Sequence, residues 1–178
     1  DRQSARLKKL IEDLLEASKA STGNVEMHME ACDAAVMISQ VVGEYQDKLQ
    51  AQDIEIVVNE AKNPANIMAD GRHLWRVFDN IMSNICKYTQ DHTRVYVNVE
   101  DAGDQVRMIF KNISKYPLNI SSDELMERFV RGDASRNTEG HGLGLSIASS
   151  LTALMDGQLT IDIDGDLFKI TVAMKKQA

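Results

Sequence analysis

Residues 140–145, Gly140-His141-Gly142-Leu143-Gly144-Leu145, alternate glycine with other residues and then run into Ser146-Ile147-Ala148-Ser149-Ser150-Leu151, whose spacing is helical. Glycine lets the backbone approach a ligand closely, and the first N–H groups of a helix point where its dipole favours negative charge. The stretch is therefore built like a phosphate site. A turn that merely lets a loop meet a helix has the same composition, so its companions elsewhere in the chain decide between the two readings.

With 178 residues, the chain has room for one domain with a core, plus an appendage. Hydrophobic residues make up 43% and charged ones 26%, which argues against a disordered or fibrous chain. The net charge of −7, with no long basic run, gives no footprint for nucleic acid and little attraction to an anionic membrane surface. Cys32 and Cys86 lie far apart in apolar segments without a C-x-x-C spacing, so buried thiols in a reducing cytoplasm are expected. No apolar run has the length of a membrane span, and residues 1–3 lack the charge order of a signal peptide. The chain starts without methionine and already in helical phase, as expected of a piece of something longer.

Residues 2–21 place Leu7, Leu10, Ile11, Leu14, Ala17 and Ser18 close to a heptad stripe, with Lys8, Lys9, Glu12, Asp13 and Glu16 outside it. Such a helix either packs on its own domain or forms half of a coiled-coil-like pair, and Thr22-Gly23-Asn24 ends it. Residues 25–30 alternate as a short strand, with His28 on the solvent side. Asp33 then caps a helix to about Gln52, whose apolar face runs through Val36, Met37, Val41, Tyr45 and Leu49. A β-branched strand is expected at 54–58, a loop at 63–66 and a short strand at 67–69. Asp70 caps a helix from Gly71 to about Thr89.

On that helix Leu74, Val77, Phe78, Ile81 and Ile85 share one side, and Asn80, Asn84 and Lys87 fall together on the other. Two mid-helix asparagines four residues apart cost helix propensity that a plain solvated face would not require. A side-chain amide oxygen is a neutral, hard ligand suited to Mg2+, which takes its remaining ligands from water and phosphates. Lys87, one turn further on, would add positive charge for the same phosphates. Alone, the stripe reads better as solvated surface; beside the glycine turn it reads as the second half of a nucleotide site.

Residues 80–89, Asn80-Ile81-Met82-Ser83-Asn84-Ile85-Cys86-Lys87-Tyr88-Thr89, resemble the N box of sensor histidine kinases, and residues 140–145 resemble their G2 box. Glu127-Arg128-Phe129-Val130-Arg131-Gly132-Asp133 resembles the F box, and residues 6–19 resemble the second dimerisation helix of these kinases. The resemblance implies an α+β fold, a two-layer α/β sandwich of the Bergerat (GHKL ATPase) type. Its mixed sheet carries helices on one face, and a single amphipathic helix precedes it. Residues 94–100, 105–110, 158–163 and 167–174 supply alternating strands that suit this fold. It further implies that residues 1–22 belong to the dimerisation and phosphoacceptor region and residues 23–178 form the ATP-binding catalytic domain.

Carried over residue by residue, the resemblance makes Asn84 the Mg2+ ligand with Asn80 beside it, and gives Lys87 and Tyr88 contacts to phosphate and nucleotide. Gly140, His141, Gly142, Leu143, Gly144 and Leu145 would hold the triphosphate. Residues 111–139 would form a flexible lid with a short helix near 123–129. Phe129 marks its F box, Arg131 would reach the γ-phosphate, and Arg136 is a second candidate for that task. Asn80, Lys87 and Arg131 would serve the transfer of the γ-phosphoryl group from ATP. The implied partners are a response regulator and the protein's own dimerisation helices in a homodimer, in a cytoplasmic domain of a membrane-anchored bacterial sensor, with no direct membrane contact by this chain.

Three departures from the family pattern matter. The adenine motif D-x-G-x-G stands here as Asn112-Ile113-Ser114-Lys115-Tyr116, so Asn112 would read the base as a neutral amide and both glycines are replaced. The late G-T-x-F element is Gly165-Asp166-Leu167-Phe168. None of His28, His73, His92 and His141 lies in a phosphoacceptor context, so the nucleophile is expected on a helix outside this chain. In related ATPases a water-activating glutamate precedes the metal asparagine by four residues; here Asn80 has no basic lone pair, which favours transfer over hydrolysis. The alternatives are a nucleotide-binding interaction module without kinase activity and a serine kinase acting on anti-sigma partners.

Overall fold

Three aspartates start three helices. Asp1 accepts from Gln3 N at 2.9 Å and caps α1 (Arg2–Thr22); Asp33 accepts from Val36 N at 3.1 Å and caps α2 (Ala34–Gln50). Asp70 caps α3 (Gly71–Tyr88), accepting from Arg72 N and His73 N, and takes a third bond from His28 N at 2.8 Å. Burial opposes the charge on Asp70, but these backbone donors and the nearby His73 outweigh it and hold the carboxyl below the usual range. The resulting stability is present above the ordinary carboxylate pKa of about 4 and is lost as pH falls through the lowered folded-state value.

The computed structural model describes residues 1–60, 66–118 and 143–177. Among these residues the remaining elements are α4 (Leu143–Leu154) and the strands β1 (Glu30–Asp33), β2 (Glu55–Asn59), β3 (Asn66–Ala69), β4 (Arg94–Ala102), β5 (Gln105–Ile113), β6 (Gln158–Asp164) and β7 (Leu167–Lys175). The main sheet has the order β2-β4-β5-β7-β6. Its β2–β4 pair is parallel and the others are antiparallel, so the sheet is mixed as expected. β1 and β3 form a separate antiparallel pair.

Every second residue of the long strands is buried: Val95, Val97 and Val99 on β4, Val106, Met108 and Phe110 on β5, Ile170, Val172 and Met174 on β7. Strand geometry puts each row on one face, where it meets the apolar sides of the helices. Phe78 of α3 packs on Phe110 with ring centroids 5.9 Å apart, at the centre of the core that Ile38, Leu49, Ile81 and Ile147 complete. This is the expected two-layer α+β sandwich.

Several local expectations are corrected. Residues 25–29 are not strand; β1 starts at Glu30, while Val25 and Met27 lean on the core from an irregular segment. Asn66 opens β3 rather than closing a loop, and residues 63–65 lie outside the described residues. On α2, Val36 is exposed, and Ala34, Ala35, Ile38 and Val42 join Val41, Tyr45 and Leu49 on the buried side. Lys111, Asn112 and Ile113 belong to β5, so the expected lid does not start at 111: sheet pairing with Lys169, Phe168 and Leu167 holds these residues in register.

Helix α1 packs on its own domain, the first of the two expected arrangements. Leu10, Asp13, Ala17 and Ala20 face the domain, and α1 packs along α4, while Leu7, Ile11, Leu14 and Leu15 remain exposed. The docked face is held by Arg76 of α3, which donates to Glu16 at 2.9 Å and to Asp13 at 3.2 Å and also pairs with Asp79. Asp13 is only 5% exposed and also pairs with Lys9 at 3.2 Å, so removing the guanidinium takes away one of its charge partners while the carboxylate stays buried. Arg76→Ala is expected to loosen α1 by about 2 kcal/mol, seen as faster amide exchange along α1 with little change in the sheet.

Candidate functional site

The site is built where α3, the end of β5 and the start of α4 converge. Asn80 and Asn84 occupy successive turns of α3, and Lys87 and Tyr88 its last turn. The polar side of α3 is not uniformly solvated, contrary to the simple two-sided reading. Asn80 is 7% exposed because α3 lies between α2 and α4 and is covered on both flanks; Asn84 is half-buried and Lys87 exposed. Asn80 faces the first turn of α4, where a side chain at Gly144 would lie 3.7 Å from Asn80 Oδ1. The amide nitrogen Nδ2 of Asn80 is buried and has no hydrogen-bond partner among the described residues. A buried, unused donor costs free energy unless another group completes it.

Leu143, Gly144 and Leu145 form the first turn of α4, with both leucines buried in the core. Anchoring these side chains fixes the direction in which the helix N-terminus points, and with it the dipole that favours an anion there. Gly140, His141 and Gly142 lie outside the described residues, as do Phe129, Arg131, Arg136 and the expected short helix at 123–129.

Asn112 ends the buried row of β5 and is 3% exposed. Its Nδ2 donates to Thr89 Oγ1 at 3.0 Å. The segment that replaces the two glycines is stitched to the end of α3: Gln90 N donates to Ile113 O, Lys115 N donates to Tyr88 O, and Thr89 bridges Ser114. Ser114 Oγ closes a tight turn on Tyr116 O at 2.7 Å, and the Tyr116 ring meets Tyr88 edge-on with centroids 6.4 Å apart. Tyr116 therefore fills space that a glycine would leave open beside Tyr88.

Next to these residues a cleft of about 360 Å³ opens between α2 and the end of α3, lined in part by Lys48, Cys86, Lys87, Tyr88, Lys115 and Tyr116. Three lysines give it positive potential that extends from Lys87. Burial pushes the Cys86 thiol up to about 11, against a smaller opposing effect of Lys48, so at neutral pH it is a protonated filler and not a nucleophile. Both cysteines are free thiols as expected, but only Cys32 is buried; Cys86 is half-buried at the edge of the cleft.

Sequence reasoning brought Asn80, Asn84, Lys87, Tyr88, Asn112 and residues 143–145 to this one region, and it missed Thr89 and Arg76. Thr89 had a visible signal, a β-branched hydroxyl residue closing the helix. Arg76 had none, because the partners it holds on α1 lie 60 and 63 residues away.

Comparison with known proteins agrees with this geometry. The family described as "Histidine kinase-, DNA gyrase B-, and HSP90-like ATPase" matches residues 69–177, and the chain belongs to that family. The probable sensor protein PcoS of Escherichia coli is 28% identical over 173 residues, covering 95% of this chain and 36% of PcoS. The sensor protein VanS of Enterococcus faecium is 28% identical over 156 residues, covering 86% of this chain and 40% of VanS. The chain thus spans about two fifths of these relatives. Among solved structures, the histidine kinase AdeS of Acinetobacter baumannii superposes with a TM-score of 0.80 at 16% identity, over 99% of this chain and 82% of that one. Full-length ShkA, solved in complex with AMPPNP, gives 0.81 at 21% identity over 99% of this chain and 38% of that one. These two likenesses establish the fold.

Proposed function

We propose that this chain is the ATP-binding catalytic part of a sensor histidine kinase, transferring the γ-phosphoryl group of ATP to a histidine on a dimerisation helix outside residues 1–178. The observation that carries the reading is a buried donor without a partner among the described residues, Asn80 Nδ2, one turn from Asn84 on α3 and facing Gly144 in the first turn of α4. The donor set suits Mg-ATP: neutral amides for a hard cation that keeps waters and phosphate oxygens, a helix N-terminus for phosphate, and a buried amide, Asn112, for the base. In this reading residues 1–22 are the second dimerisation helix, residues 23–178 the catalytic domain, and a response-regulator aspartate receives the phosphoryl group next. The sensor-protein relatives support a sensing role for the parent protein, and the membrane-anchored setting follows from the resemblance alone. Among the described residues no helix is long and apolar enough to cross a membrane.

Phosphoryl transfer asks the protein chiefly for position and charge. Mg2+, when bound, neutralises the phosphate oxygens. Asn84 holds the cation, and Lys87 adds positive charge at the phosphate end. The resemblance assigns Arg131 to the γ-phosphate, with Arg136 a second candidate, and residues 140–145 to the triphosphate; of these, 131, 136 and 140–142 lie outside the described residues. Asn80 can donate a hydrogen bond but cannot abstract a proton, so water at this position is not activated and an external imidazole is the favoured nucleophile.

The packing of Tyr116 on Tyr88 favours a second reading, in which the filled adenine entrance leaves a nucleotide-binding module without kinase activity. One experiment separates them: incubate the chain with γ-labelled ATP, Mg2+ and a separately supplied two-helix dimerisation fragment from the parent protein. Label on a histidine of that fragment is expected. ATP binding without transfer would favour the second reading.

A further inference from the structure

The buried row of β5, Val106, Met108 and Phe110, continues into Asn112, the one amide in an otherwise apolar line. An amide at such a position must be paired or reserved for a ligand. One end is paired with Thr89, which is fully buried at the C-terminal end of α3. Thr89 Oγ1 also lies 2.5 Å from Ile85 O. A carbonyl only accepts, so the single hydroxyl hydrogen of Thr89 is spent on Ile85 and only lone pairs face Asn112. Turning the amide over would set Oδ1 against those lone pairs. The hydrogen-bond network therefore assigns the orientation of Asn112: Nδ2 on Thr89, Oδ1 on the other side. Among the described residues nothing donates to that oxygen.

This matters because an asparagine, unlike an aspartate, is ambiguous. A carboxylate presents acceptors whichever way it is turned, whereas an amide presents an acceptor or a donor, and its neighbour decides which. We infer that Thr89 is a positioning residue for base selection: it locks Asn112 so that a bare acceptor faces the purine, which selects a 6-amino group and rejects a 6-oxo group. The inference rests on the nucleotide reading proposed above, and it makes the threonine at the helix end as necessary for selectivity as the asparagine it holds.

The test is a calorimetric titration of the chain with Mg-ATP and with Mg-ITP, which carries a 6-oxo group. ATP is expected to bind about tenfold or more tightly than ITP, since a donor lost to a buried acceptor is costly. Thr89→Ser keeps the hydroxyl and is expected to keep the ratio. Thr89→Val removes it, frees the amide to turn, and is expected to bring the ratio to within about threefold, chiefly by gain of ITP binding. In the nucleotide-free protein, the Asn112 side-chain amide is expected to exchange slowly by NMR in the unchanged chain and in Thr89→Ser; fast exchange in both would overturn the assignment. Equal affinity of the unchanged chain for ATP and ITP, or an unchanged ratio in folded Thr89→Val, would overturn the inference and leave the nucleotide reading standing. Binding of neither nucleotide would overturn both. If Thr89→Val fails to fold, the ratio in the unchanged chain and the amide exchange decide.

Discussion

Asn84→Ala is expected to lower the affinity for ATP in the presence of Mg2+ by about a hundredfold or more, because even the outer partners of a metal ligand are worth tenfold to a hundredfold. Asn84 is half-buried on the middle of α3, and no side-chain hydrogen bond of Asn84 occurs among the described residues. Alanine is the better helix former by roughly half a kcal/mol, so the melting temperature should hold or rise slightly. The combination separates loss of a ligand from loss of fold. Calorimetry with Mg2+ and with EDTA checks it: the variant should bind as weakly with the metal as the unchanged chain does without it. Retained Mg2+-dependent affinity in a folded variant would remove Asn84 from the site.

The largest effect on stability is expected at Gly157, where the chain turns from α4 into β6. Gly157 N donates to Thr152 O, and Asp156, one residue earlier, takes a left-handed conformation at φ 65°. A Cβ at Gly157 would collide with Met174 Sδ and stand 2.7 Å from Ala173 O and 3.1 Å from Thr152 Cγ2. The methionine can move, but Ala173 O belongs to the backbone of β7 and is held by pairing on both sides. Gly157→Ala should therefore cost about 2–4 kcal/mol, read from the midpoint of urea unfolding at unchanged slope. Gly43 supplies the opposite case. It is exposed within α2 with nothing within 4 Å of an added Cβ, so Gly43→Ala should stabilise by about 0.5–1 kcal/mol. Opposite signs for the same substitution would show that backbone approach, and not glycine content, is what Gly157 contributes.

Much of the fold is legible because its signals are local. Asp33 and Asp70 announce helix starts through their own side chains, and the two-residue alternation of β4, β5 and β7 survives directly as their buried rows. What is not legible depends on neighbours. A periodicity of about 100° per residue gives α3 an apolar side, but not that α2 and α4 would cover its flanks and bury Asn80. The alternation at 25–29 suggested pairing, yet pairing needs a partner, and β3 takes only residues 30–33. Asp13 reads as surface on its own helix and is buried where α1 docks on the domain, paired there with Arg76. For the site, Asn84, Lys87 and the start of α4 were found by spacing and by resemblance. The role of Thr89 depends on three atoms from α3 and β5 meeting in space, which no linear pattern contains.

The central claim is that α3, Asn112 and the start of α4 together hold Mg-ATP. Titrating the chain with ATP by calorimetry, once with Mg2+ and once with EDTA, tests it most directly. The account predicts saturable binding in the micromolar range that weakens when the metal is removed. Absence of saturable heat under both conditions, from a chain shown to be folded, would contradict it.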